Sequence, residues 1–417
     1  GSFYAAFNPA QNNRMIGHLD PDDLTRLVDG TSIAGQRYNV MWCLPTVYWL
    51  TDSNGNLILT DDPDTGGTAY AHTIDGHVYS YIGIGVYEGS SQTVNGQTIL
   101  TSYTDVDPTG YKTRAALRDL ANNQLVNTDG DGENGYAMIW SFYQWELYKY
   151  CSLTVMESWN SQSVAGSGSF DMYNDDGLTT GNHDTSGPYA GSYDRGGSRY
   201  RNQVKVFIEA PWGGMDEFVD GIIISSGRYY IDQSSVPTDG KTGEFITTPS
   251  GTIPTVDSWV TGFDPSTESS IWGMPTKSGN GSMYIPDLMR GASGNGPYSM
   301  TVGGGAVSTD DILSYAWYGG ISSIDCSRLL SETYSNIGSR LSFVFDDDPC
   351  AIKSYTVTFS TGSSTSIPSQ IIESGQTALT PSNPTLEGYV FDCWSTSPDT
   401  RVPYDFNTPV TSDLTLY

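Results

Sequence analysis

Positive charge is scarce in this chain. Lys and Arg number 19 against 47 Asp and Glu, a formal net charge of -28 over 417 residues. A surface of that sign repels phosphate backbones and anionic lipid, which argues against nucleic-acid partners. Cysteine is sparse as well. Cys43, Cys151, Cys326, Cys350 and Cys393 are scattered and none forms a C-x-x-C pair, so neither a thiolate zinc site nor a dithiol redox motif is indicated. Buried free thiols are expected, and an oxidising compartment would allow one disulfide. No run of about 18 apolar residues occurs, so no transmembrane helix and no direct membrane insertion are expected. The histidines, His18, His72, His77 and His183, lie far apart and offer no obvious base for a nucleophile.

What remains is a folding composition. Hydrophobic residues make up 37% and charged residues 16%, with 47 Gly and 28 Tyr. Disordered chains carry dense charge and few aromatics, so this chain should bury a core. Gly, Tyr, Ser and Thr with little Lys suit a loop-rich extracellular protein.

The composition shifts near residue 346. Leu341, Phe343 and Phe345 alternate with Ser342 and Val344 as a strand, and Asp346-Asp347-Asp348-Pro349 ends it. A body of residues 1–346 and a separate tail follow from that break; the family resemblances described below imply a tail module of 353–417 and a body core of about 40–345. In the body, Thr113 to Ala121 reads as a helix. A second helix is expected from about Tyr136 to Ser158, where Ile139, Phe142, Tyr143, Leu147, Tyr150 and Leu153 recur at helical spacing. Short strands and long loops, notably 163–203 and 233–300, fill the rest. The expected class is α+β.

The tail carries the strand Tyr355-Thr356-Val357-Thr358-Phe359, a P-x-x-x-G-Y-x-F-x-x-W run from Pro384 to Trp394, and a closing stretch from Tyr404 to Tyr417. It resembles the internalin-type B-repeat, a bacterial and archaeal surface module. The resemblance implies a β-grasp spacer and an extracellular, cell-surface or virion-surface home. Cys393 stands where that family usually has Gly.

The body has its own series of segments: Tyr81 to Ser90, Gly135 to Gln162, Pro211-Trp212-Gly213-Gly214-Met215-Asp216-Glu217-Phe218-Val219-Asp220-Gly221, Gly303 to Val307, and Ser335 to Leu341. In order, these resemble the C-type-lectin-like domain of the formylglycine-generating-enzyme-like and variable-protein branch. That resemblance implies a mixed fold with two helices and long loops. It places a binding face between the last two segments, at about 308–336. There Tyr315, Trp317, Tyr318 and Tyr334 are the candidate anchors, with Asp311, Ser314, Asp325 and Arg328 as polar contacts. Rigid aromatics among small polar residues are the mixture of antibody paratopes. The implied function is an adhesin or receptor-binding protein, its partner a protein or glycan on another surface and its repeat a stalk.

Other chemistries find less in the sequence. The enzymatic branch needs paired cysteines, and Cys326 stands alone. Calcium-dependent sugar loops of the E-P-N or Q-P-D type do not occur. The stretch Asn127 to Asn134 fails the spacing of an EF-hand. Asp129 and Asp131 there, and Asp175 and Asp176 further on, are kept as candidates for a structural calcium; no other cofactor is indicated. An enzyme of the formylglycine-generating or another type, and a surface-layer or filament subunit, are the alternatives.

Overall fold

The computed structural model describes residues 1–130, 135–166, 168, 179–190, 204–237, 239, 244–246, 258–263, 275–279, 287–292, 294–303, 319–350, 354–373 and 375–417. The chain divides into two compact units, Gly1–Pro349 and Cys350–Tyr417. The break falls at the Pro that follows the acidic run.

The expected α+β class is corrected by the architecture. Among the described residues, three α-helices accompany 29 strands, so the fold is β-rich. The reason lies in turn chemistry. Many stretches that read as loops are short strands closed by Gly and Asn turns. Asn95-Gly96 shows the mechanism: both residues have positive φ, 51° and 81°, which a two-residue hairpin turn requires. The flanking strands Ser90–Val94 and Gln97–Thr101 pair accordingly.

Two large sheets carry the body. One runs, in spatial order, Leu125–Val126, Gly135–Ile139, Leu341–Phe345, Tyr81–Gly85, Asn39–Pro45, Phe3–Asn8, Arg14–Asp20 and Asp23–Leu27. The other is built on Asp216–Ser225, whose ten residues are all buried. Its neighbours on one side are Tyr298–Val302, Ile324–Leu329 and Leu288–Arg290, in that order. The body core gathers Trp42, Trp140 and Trp212 in one cluster and Phe7, Phe343 and Phe345 in a second.

The helices are α1 (Arg114–Asn122), α2 (Phe142–Met156) and α3 (Ser161–Ala165). Thr113 caps α1 by accepting from the Ala116 amide at 3.2 Å. Arg118 then ties α1 to the second sheet through two 2.6 Å bonds to Asp220. Thr113→Ala is expected to cost about 1 kcal/mol in urea unfolding, the usual worth of such a cap.

The long helix expected from Tyr136 begins later. Gly135–Ile139 is a strand paired with Leu341–Phe345, and Ser141 opens α2 with a capping box to Gln144. Helical spacing did not expose that boundary because every residue from Phe142 to Tyr150 is buried, so no polar face marks where the helix begins.

The second unit is a three-stranded mixed sheet. Ser354–Phe359 lies centrally, antiparallel to Gln370–Glu373 and parallel to Leu414–Leu416. Its core holds Val357, Phe359, Trp394, Val410 and Leu416. No helix occurs among its described residues, and this sheet by itself does not establish the expected β-grasp.

Candidate functional site

Asp325, Arg328 and Tyr334 are brought together at the end of the strand Ile324–Leu329. That strand lies between two others. It pairs antiparallel with Tyr298–Val302, setting Thr301 opposite Asp325, and parallel with Leu288–Arg290, setting Arg290 beside Asp325. The register therefore delivers a second guanidinium to one carboxylate. Arg328 Nε lies 2.9 Å from Asp325 Oδ2, and Arg290 Nη1 lies 3.7 Å from the same oxygen. The other oxygen accepts from the Ser327 amide at 2.8 Å and its hydroxyl at 2.5 Å.

Pinned in this way, the Arg328 guanidinium lies over the Tyr334 ring, 4.5 Å from its centroid. Burial works against its charge, but Asp325, Asp216 and Tyr334 outweigh burial and raise its pKa. Arg328 and Tyr334 are half-buried, so each presents one side to solvent. Asp325 is buried, only 6% exposed. Its part is to hold the arginine rather than to meet a ligand. Arg290 was invisible to the sequence reading, because a parallel pairing over 35 positions leaves no local signal.

The remaining candidates, Asp311, Ser314, Tyr315, Trp317 and Tyr318, lie outside the described residues, as do Asp131, Asp175 and Asp176. Asp129 is described and half-buried. Among the described residues no three His, Cys, Asp or Glu side chains gather to hold a metal ion. Among the described residues, Cys43, Cys151, Cys326 and Cys393 form no disulfide. Cys326 is fully buried, and desolvation, reinforced by Asp325, pushes its thiol well above the ordinary range, away from a reactive thiolate.

Four of the five segments singled out in the body, those of Gly85, Trp140, Glu217 and Arg340 itself, meet at a different residue, Arg340. It is wholly buried and bonds Glu217 through Nε at 3.1 Å and Nη2 at 2.5 Å. Its Nη1 donates to the carbonyls of Gly85 and Val86 at 3.1 and 2.9 Å, and Nη2 to those of Glu209 and Ala210 at 3.0 and 3.4 Å. Around it sit carboxyls raised chiefly by burial: Glu88 to about 8 and Glu209 to about 7. Glu88 accepts from the Met215 amide at 2.8 Å, and Glu209 from the amides of Gly181 and His183 at 2.9 and 3.0 Å. These bonds are internal ties between segments.

Residues 355–417 match the family model of the Listeria-Bacteroides repeat domain. The chain thus carries a repeat domain of a kind that occurs in extracellular bacterial proteins. No curated protein matches the chain in sequence. The C-type-lectin-like resemblance of the body therefore has no support from a family or a relative. Among the described residues no helix is long and apolar enough to cross a membrane.

Proposed function

We infer that this is a non-catalytic extracellular binding protein, an adhesin or receptor-binding protein whose repeat domain serves as a stalk. One observation carries the reading: Arg328, held by Asp325, lies over the Tyr334 ring, 4.5 Å from its centroid, at the surface of the body. Tyrosine and arginine are the residue types that most often anchor protein interfaces, and a pre-ordered pair loses little entropy on binding. The buried carboxyls around Arg340 favour the same reading, since they are engaged in internal bonds rather than facing a cleft. The repeat domain supports the surface location.

The test is a screen of the full chain against immobilised glycans and cell-surface proteins, followed by the double variant Arg328→Ala/Tyr334→Ala. Loss of binding by at least about tenfold is expected, with thermal unfolding little changed. A double variant that binds like the parent chain would overturn the assignment.

A further inference from the structure

Ten non-glycine residues among those described have positive φ. Five of them are Asn or Asp, which tolerate the left-handed region. Bulky residues do not, and two aromatics stand there. Phe207, at 61°, is held by packing: its ring stacks on Trp42 with centroids 4.6 Å apart and planes 11° from parallel. Tyr111, at 54°, has no such support. Its residue is 64% exposed, and among the described residues no ring or cation contact involves it. Strain that packing does not explain points towards function.

The backbone at Tyr111 is stitched to the candidate site. Its amide donates to the Tyr334 carbonyl at 2.7 Å. A Cβ on the preceding Gly110 would stand 2.0 Å from the Ser335 carbonyl oxygen, so glycine is required for that approach. Thr109 is fixed on the other side, its amide donating to the Gly89 carbonyl at 2.9 Å and its hydroxyl accepting from the Ser91 amide at 2.7 Å. The exposed phenol ring is thus raised on a fixed loop beside the residue that carries Arg328. Leu329, 44% exposed, ends the adjoining strand.

We propose that Tyr111, Tyr334, Arg328 and Leu329 form the contact surface for a basic protein partner, with a Lys or Arg of that partner stacked on the Tyr111 ring. The proposal rests on the binding reading given above and adds a residue and a partner chemistry to it. A chain of net charge -28 steers cationic surfaces towards itself and turns acidic ones away. Arg328 and Arg290 share Asp325, and Asp216 adds a second negative charge acting on Arg328, so the two guanidinium groups are met by two carboxylates. An open phenol face takes an ammonium or guanidinium group.

The probes are a synthetic peptide alternating Lys and Ala and its Glu–Ala counterpart, measured against the full chain at low and physiological salt. The lysine peptide should bind and the glutamate peptide should not. Tyr111→Ala should weaken binding by about fivefold to tenfold, and Tyr111→Phe should retain it. Tyr111→Gly separates function from structure: it should lose the same affinity while raising Tm, because glycine occupies this backbone region freely. Equal affinity of Tyr111→Ala and the parent chain overturns the proposal. If the lysine peptide fails but Arg328→Ala/Tyr334→Ala still abolishes binding to a surface ligand, the basic partner is wrong and the binding reading stands. If the double variant also changes nothing, both fall.

Discussion

Arg340→Met is expected to cost at least about 3–5 kcal/mol, the usual penalty for stranding one charge of a buried pair. Stabilities of natural domains are on the order of 5–15 kcal/mol, so much of the chain would be unfolded near its working temperature. The substitution removes two bonds to Glu217 and four to backbone carbonyls contributed by two separate stretches, 85–86 and 209–210. Glu217 is left as a carboxyl only 2% exposed with its strongest partner gone. Arg340→Lys should rescue little, because a single ammonium cannot span the planar fork that these six bonds use. Glu217→Met added to Arg340→Met should recover part of the loss, since it removes the stranded charge and leaves only the carbonyls unbonded. Urea unfolding of the two single variants and the double variant gives the coupling directly. A cost below about 1 kcal/mol for Arg340→Met would show that the segments meeting there are held by packing instead.

Arg340 also shows where sequence reading succeeds and fails. The closing stretch Ser335 to Leu341 and the stretch Pro211 to Gly221 were each conspicuous as strings. That they meet through Arg340 and Glu217, 123 positions apart, has no local trace. Local chemistry was legible where it was self-contained. The stretch Thr113 to Ala121 announced α1, found at Arg114–Asn122, and the alternation from Tyr355 to Phe359 announced a strand found at Ser354–Phe359. The β-rich class was not legible, because the many two- to five-residue strands are too short to show a period and acquire their partners from distant stretches. In the candidate site, Arg328 and Tyr334 were readable as surface-forming types. The burial of Asp325 was not, since a carboxylate enters a sheet only when neighbours such as Ser327, Arg328 and Arg290 satisfy it.

The stability of the body should fall as pH rises from about 5 to about 8, the reverse of ordinary acid sensitivity. Glu88 is fully buried, and desolvation, with the Glu217 carboxylate beside it, lifts its pKa from 4.5 to about 8. The folded state therefore keeps a proton that the unfolded chain releases above about 4.5, and each further pH unit up to about 8 favours unfolding by as much as about 1.4 kcal/mol. Glu209 and Asp287, both raised to about 7 mainly by burial, act in the same direction over the lower part of that window. Lys205, lowered to about 8 by burial, has the opposite sign but acts only above that value. Solvent relaxation around these groups reduces the sum, so a net loss on the order of 1–3 kcal/mol between the two pH values is expected. Glu88→Gln isolates one contributor. It preserves size and an acceptor for the Met215 amide while removing the titration. Its Tm should match the parent chain at about pH 5 and exceed it at about pH 8, with a shallower slope between. Parallel Tm–pH curves for the two proteins would mean that Glu88 ionises in the fold at no cost. Its carboxylate would then be balanced by the Arg340 guanidinium as Glu217 is, and Arg340 would be serving two acids at once.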